Sequence, residues 1–421
     1  MQFTTIATHT NTAKALLSGG LLILAASMLT QTATAQEPAP AAHKTENVIV
    51  VMLDGLRWEE VFRGADPKLI NKHDPKFLGA TSQRTSLAKE RYWRESPEQR
   101  REALMPFLWS EMATQGQVFG NRDLGSDSHV TNHHKFSYPG YSETMTGFAD
   151  ARVHSNANIP NPNQTVLEWL NKKPEFAGKV AAFGAWQVFQ GIFNQQRCGF
   201  VVNTGYEPLK DIPATPELAL LNMLKEKTPR IWPDESFDPL PFYTAMEYLK
   251  VKKPRVMFIG LGETDDWAHM GAYPEYLNAA NRDDAYLREL WDQVQSMPEY
   301  RDRTTLIVLP DHGRGSGPLW TVHAWVIPGA GQTWMAFLGP DTTARGEREL
   351  SAPVTESQIA ATIAALLGED YDKAVPRAGT PIADVLSHTA QPGNQAFAQH
   401  SGSADFTAEM LQATHAAAGQ D

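Results

Sequence analysis

Four stretches of this 421-residue chain are almost continuously apolar, and each runs out into an acidic or glycine-containing turn. They are NVIVVMLDG (47–55), KVAAFGAW (179–186), RVMFIGLGETDD (255–266) and TTLIVLPDHG (304–313), all but the second rich in β-branched residues. A strand with one face in water alternates apolar and polar residues. A strand apolar on both faces belongs inside a sheet that is covered on each side. Between these runs stand helical periodicities such as QTVLEWLNK (164–172) and AYLRELWDQVQSM (285–297). Alternation of strand and helix predicts an α/β fold with a largely parallel central sheet and helices on both faces. Active sites in such sheets lie at the carboxyl ends of the strands. Asp54, Asp265, Asp311 and His312 all fall at that edge.

The chain ends read differently from this middle. Residues 1–35 have the form of an export signal: Lys14 precedes the apolar run ALLSGGLLILAASML, and Ala33-Thr34-Ala35 is a small-residue cleavage site. The apolar run is shorter than the roughly 20 residues a membrane span needs. The expectation is a single catalytic domain over 36–388, periplasmic or secreted, with no membrane span after cleavage. Within it, the charge-dense stretch AKERYWRESPEQRREALM in segment 63–120 reads as solvated helix faces, a lid or insertion being the alternative. Residues 389–421 are small and polar and read as a loosely ordered tail. Cys198 is the one cysteine, so no internal disulfide forms. A formal charge of −11 argues against a nucleic-acid polymer as partner.

The chemistry lies in the polar residues at the strand ends. Asp54 closes a buried run, where a carboxylate is costly unless paired, hydrogen-bonded or bound to a cation. In ETDDWAH, Asp265 and His269 are four apart, so one helical turn puts both on one face. Asp311 and His312 are adjacent in LPDHG, and His323 follows in WTVHAW. Taken singly, each is as readily a capping aspartate or a satisfied histidine. Together they point to bound metal. Ser137, in HKFSYPGYSETMTG, precedes a Pro139-Gly140 turn that sets it at the mouth of a following helix, where the dipole favours an anion. A serine hydroxyl needs a base or a metal to become a nucleophile, and no G-x-S-x-G elbow surrounds this one. Two divalent cations, zinc for mixed imidazole and carboxylate donors or manganese as the alternative, would hold the attacking and departing oxygens of an in-line displacement.

In order along the chain, MLDG, SYPGYSETMTG, ETDDWAH, PDHG and HAWVIPGAGQTWMAFLGPD resemble the alkaline phosphatase superfamily, and within it the nucleotide pyrophosphatase/phosphodiesterase-like branch. The resemblance spans Asn47 to about Thr342. It implies that Asp265, His269 and His323 hold one zinc, that Asp54, Ser137, Asp311 and His312 hold the other, and that Ser137 is transiently phosphorylated. It also implies a phosphoryl-binding asparagine, for which Asn158 fits the spacing and Asn156 is the neighbour. The implied substrate is a small phosphoester.

This chain also departs from the pattern. Gly140 and Tyr141 stand where the branch often has Asn-His, and Tyr141 stands where a formylglycine sulfatase requires arginine. The basic Lys-x-Arg pair of some monoesterases is replaced by Trp186 and Gln187, which favours a diester or a phosphonate. Arg314 and Lys135 are the nearby cations, and Trp186, Trp267, Trp320 and Trp325 are either core or stacking surfaces. The alternatives are a phosphonate hydrolase or phosphomutase, and a non-catalytic metal-stabilised binding protein.

Overall fold

The computed structural model describes residues 44–71 and 82–386; the expected export signal and C-terminal tail lie outside the described residues. Among the described residues ten strands are formed: β1 Asn47–Leu53, β2 Gln117–Phe119, β3 Ser128–His129, β4 Val180–Gly184, β5 Val201–Thr204, β6 Val256–Leu261, β7 Thr304–Leu309, β8 Met335–Leu338, β9 Gly346–Glu347 and β10 Val354–Thr355. Eight make one sheet in the order β5-β4-β6-β1-β7-β8-β2-β9, and β3 pairs with β10 apart from it. The left part, from β5 through β7, is parallel throughout; β8 is antiparallel to both β7 and β2. All four apolar runs of the sequence are therefore adjacent strands, with β1 central between β6 and β7.

The reason β1 has no polar position is visible in its packing. Ile49, Val51 and Leu53 enter one core while Val48, Val50 and Met52 enter another, as the two-residue period of a strand requires. The first core is covered by helices Pro239–Lys252 and Tyr273–Ser296, the second by helices Ser137–Thr146, Val166–Asn171 and Ile359–Leu366. Helices thus lie on both faces of the sheet.

The segment around 63–120 contributes to the first core as well as to the surface. Its helices Ser82–Tyr92 and Pro97–Leu104 turn most of their charged residues outward, Arg100 excepted, while Tyr92, Leu104, Phe107, Leu108 and Met112 are buried. Asp284 on the long helix accepts from the Phe107 and Leu108 N–H groups at 2.7 and 2.9 Å, tying down that stretch. Its last strand, β2, lies within the main sheet. Among the described residues no helix is long and apolar enough to cross a membrane.

Candidate active site

Three neighbouring strands deliver three aspartates to one edge. Asp54 follows β1 directly, and its N–H still bonds to Leu261 of β6 at 2.9 Å. Asp265 lies in the first turn of helix Glu263–His269, which begins as β6 ends, and Asp311 follows β7 by two residues. Gly55 makes this convergence sterically feasible. Its φ is +59°, a Cβ there would sit 2.5 Å from Asp265 Oδ1, and its N–H donates to Asp311 Oδ1 at 3.1 Å.

The imidazoles close the cluster. One helical turn after Asp265, His269 brings Nε2 to 3.0 Å from Asp265 Oδ2. His323 arrives on a loop, with Nε2 2.9 Å from His269 Nε2 and 3.8 Å from Asp265 Oδ1. His312 is fully buried, its ring stacked on that of His323 with centroids 4.0 Å apart. Its Nε2 lies 3.4 Å from Asp54, 3.5 Å from Asp311 and 3.9 Å from Asp265. Ser137 completes the set: its Oγ is 3.4 Å from His312 Nε2.

Ser137 opens helix Ser137–Thr146, every residue of which is buried. Gly140 lets that helix lie against the end of β7, because a Cβ at this position would be 2.1 Å from the Asp311 carbonyl oxygen. One residue on, the Tyr141 hydroxyl donates to Asp54 Oδ2 at 3.0 Å. Gly140 and Tyr141, the pair that departs from the resemblance, thus support Asp54 from below Ser137.

The donor chemistry fits a bound cation. His312 Nδ1 faces the Gly313 carbonyl at 2.9 Å and His323 Nδ1 faces the Lys135 carbonyl at 3.3 Å. A carbonyl only accepts, so each Nδ1 carries the proton and each Nε2 presents a lone pair inward. Those lone pairs meet carboxylate oxygens, acceptors facing acceptors. Asp54 Oδ1 and Asp311 Oδ2 are moreover buried with no hydrogen-bond partner among the described residues. Burial, reinforced by Asp54 and Asp265, pushes the Asp311 carboxyl well above its ordinary range when only protein surrounds it. Burial would also raise Asp265, but Arg314, His269 and His323 together hold it well below. Among the described residues, two groups have ligand atoms within 4.8 Å of one another: Asp54, Asp311 and His312, and Asp265, His312 and His323. His312 stands between the two groups, where the resemblance gave it to the Asp54 side alone.

Asn158 does not join this cluster. The asparagine at the nucleophile is Asn156, whose Oδ1 accepts from the Tyr138 N–H at 3.0 Å. The Ile159 N–H closes on the Ala157 carbonyl at 2.7 Å, and beyond Asn156 this tight turn leaves Asn158 exposed, with Nδ2 at 3.4 Å from Gln190 Oε1. Spacing along an irregular loop could not separate the two. Arg314 is buried and fully engaged: Nε on Trp320 O at 2.9 Å, Nη2 on Thr321 O at 2.7 Å and Nη1 on Asp265. It serves the aspartate, and each of its three nitrogens is bonded to protein. Trp320 is core, whereas Trp325 is 58% exposed and stacks on His133.

Two contributors carried no sequence signal. Tyr141 reads as a helix-core aromatic, and Glu235 sits in a loop with no periodicity. Yet Glu235 stands half-buried beside Asp266, whose carboxyl burial and the neighbouring Asp265 raise to about 9.

No protein-family model matches the chain, and no curated protein matches it. Among solved structures, the fold is similar to that of the alkaline phosphatase PafA, with a TM-score of 0.52 at 10% identity over 83% of this chain and 100% of that one. It is also similar to a phosphonate monoester hydrolase from Silicibacter pomeroyi, with a TM-score of 0.50 at 13% identity over 83% and 78% of the two chains. At such identities the likeness is one of fold: this chain has an alkaline-phosphatase-like architecture.

Proposed function

We propose that this alkaline-phosphatase-like chain is an exported, metal-dependent phosphoric ester hydrolase of the nucleotide pyrophosphatase/phosphodiesterase-like kind, with Ser137 as its covalent nucleophile. One observation carries the reading: the lone pairs of His312 and His323 face buried aspartate oxygens, two of them unpartnered, with the Ser137 hydroxyl 3.4 Å from His312. Asp54, Asp311, His312 and Ser137 would hold one divalent cation, and Asp265, His269 and His323 the other, zinc being favoured by the mixed donors. When bound, such cations stabilise a serine alkoxide at neutral pH and neutralise charge on phosphoryl oxygens.

The chain's own groups do the rest. Ser137 Oγ supplies the attacking oxygen, forming a serine–phosphorus ester as the bond to the departing alcohol breaks, and water then cleaves that ester. The helix that Ser137 opens presents its positive dipole end to the phosphoryl group. Asn156 pins the Tyr138 N–H and so fixes the turn that aims Ser137. Arg314 keeps Asp265 ionised. With Arg314 committed and no Lys-x-Arg pair after β4, the positive charge available for a dianion is small, which favours monoanionic diesters. Rapid acid quench of protein turning over an aryl phosphodiester, followed by peptide mass spectrometry, tests the reading. Ser137 carrying the phosphoryl group with the diester's second ester substituent still attached is the expected result; turnover with Ser137 unmodified, undiminished in Ser137→Ala, would sink it.

A further inference from the structure

Beside the candidate active site, at the carboxyl ends of β4 and β5, lies a cavity of about 250 Å³. Strands β5 and β6 are two steps apart in the sheet, so the cavity stands on the order of 10 Å from the strand that leads to Asp265. Its walls carry Gln187, Thr204, Tyr206, Glu207, Arg230 and Asp234. A polar path links it to the nucleophile's flank: Asn156 holds the Tyr138 N–H, Asn158 reaches Gln190 at 3.4 Å, and Gln190 Nε2 donates to Glu207 Oε1 at 2.7 Å. On the other side, loop residue Asp234 accepts from the Trp186 indole at 3.1 Å, and Glu235 next to it bridges to Trp186 and packs behind Asp265.

The lining selects its ligand by elimination. Two carboxylates oppose an anion, the Arg230 guanidinium opposes a cation, and the polar walls oppose an apolar body. Arg230 lies over the Tyr206 ring at 4.7 Å and makes no ion pair among the described residues. The Thr204 and Tyr206 hydroxyl oxygens are buried without a hydrogen-bond partner, which is costly unless a ligand supplies one. Carboxylates accept, guanidinium and amide donate, and the orphan hydroxyls do either. A hydroxyl both donates and accepts, so several hydroxyls on one ring would meet all of these partners. The volume is slightly below that of cavities for drug-sized ligands, about 300 Å³ upward, and suits a single ring.

The geometry points to a hexopyranose subsite: the ester hydrolysed at Ser137 is carried on a sugar, whose ring hydroxyls are read by Asp234, Glu207 and Arg230. This rests on the hydrolase reading above and adds the substrate class. The test has two arms on the intact protein. In the first, saturation-transfer NMR and calorimetry follow binding of the methyl glycosides of glucose, galactose and mannose. At least one binds, and Arg230→Ala and Asp234→Asn each weaken it about tenfold with the thermal midpoint unchanged. In the second, KM for a p-nitrophenyl phosphodiester of that glycoside rises about tenfold in both variants, while turnover of bis(p-nitrophenyl) phosphate is unaltered. Sugar binding with neither diester hydrolysed would sink the hydrolase reading and keep the subsite. Hydrolysis of both diesters with no glycoside bound, or variants that leave the KM ratio unmoved, overturns the subsite alone.

Discussion

The Tyr141 hydroxyl donates a hydrogen bond to Asp54 Oδ2 at 3.0 Å, joining the nucleophile's helix to the first strand of the site. Burial, then Asp54 and Asp311, push the tyrosine pKa well above its ordinary value, so it stays a donor. With Oδ2 held, Asp54 Oδ1 is left unpartnered and turned to His312 at 3.4 Å. Tyr141→Phe removes the hydroxyl and keeps the ring on Phe189 and Phe258. It is expected to lower metal affinity about 10- to 100-fold with little change in thermal midpoint, read by metal content against a graded chelator. Unchanged retention would mean that Asp54 needs no second partner.

Stripping the protein of metal is expected to destabilise it as well as silence it. Asp54 and Asp311 are buried and Asp265 is half-buried in one cluster, and among the described residues Arg314 is the one arginine or lysine bonded to it. Repulsion among them returns when the cations leave. Elemental analysis paired with thermal melts before and after chelation checks this: the midpoint falls, and Zn²⁺ or Mn²⁺ restores it. A midpoint indifferent to chelator, with no transition metal found, refutes the metal centre.

Ser137→Ala is expected to cost on the order of 10³-fold or more in kcat while the protein still folds and retains most of its metal. Six other side chains of the cluster remain in place. Steady-state kinetics and metal content on the same sample separate loss of the nucleophile from loss of the site.

For substrate class, kcat/KM for an aryl phosphodiester should exceed that of the matching monoester, with sulfate esters weakest. Arg314 has each of its nitrogens committed. Lys135 is a further cation near the mouth, its carbonyl on His323 and its stem against Gly331. A tenfold monoester preference that disappears in Lys135→Ala would reverse this reading.

A pH signature arises away from the site, at Lys225. Its ammonium is buried, donating to Asn203 Oδ1 at 2.7 Å and the Glu207 carbonyl at 2.9 Å, and burial lowers its pKa from 10.5 to about 7. Below about pH 7 both folded and unfolded chains hold the proton. Between there and 10.5 only the unfolded chain does, so this residue makes stability rise with pH, by at most about 1.4 kcal/mol per unit. Denaturant midpoints from pH 7 to 10 should therefore climb more steeply in the wild type than in Lys225→Met. Parallel slopes would show that Lys225 titrates normally.

How much of this was legible beforehand differs from residue to residue. The sheet was, because β1, β4, β6 and β7 are apolar on both faces, and a strand of that kind has one place to go. So was the pairing of Asp265 with His269, since a helical turn sets their spacing locally. The antiparallel β8 and the short β2 and β9 were not, being too brief to show a period.

Sequence by itself determined the α/β architecture, the strand ends that carry Asp54, Asp265 and Asp311, and the set of histidines from which the cluster is drawn. These follow from periodicity and from the cost of burying a carboxylate, both local properties of the chain. Tertiary structure alone decided that His312 stands between two ligand groups, that Tyr141 orients Asp54, that Asn156 and not Asn158 meets the nucleophile's turn, and that Arg314 spends its donors on protein. Each of these depends on which loop crosses which strand end. Residues tens to hundreds of positions apart meet there at hydrogen-bond distance, and no spacing along the chain encodes the direction of approach.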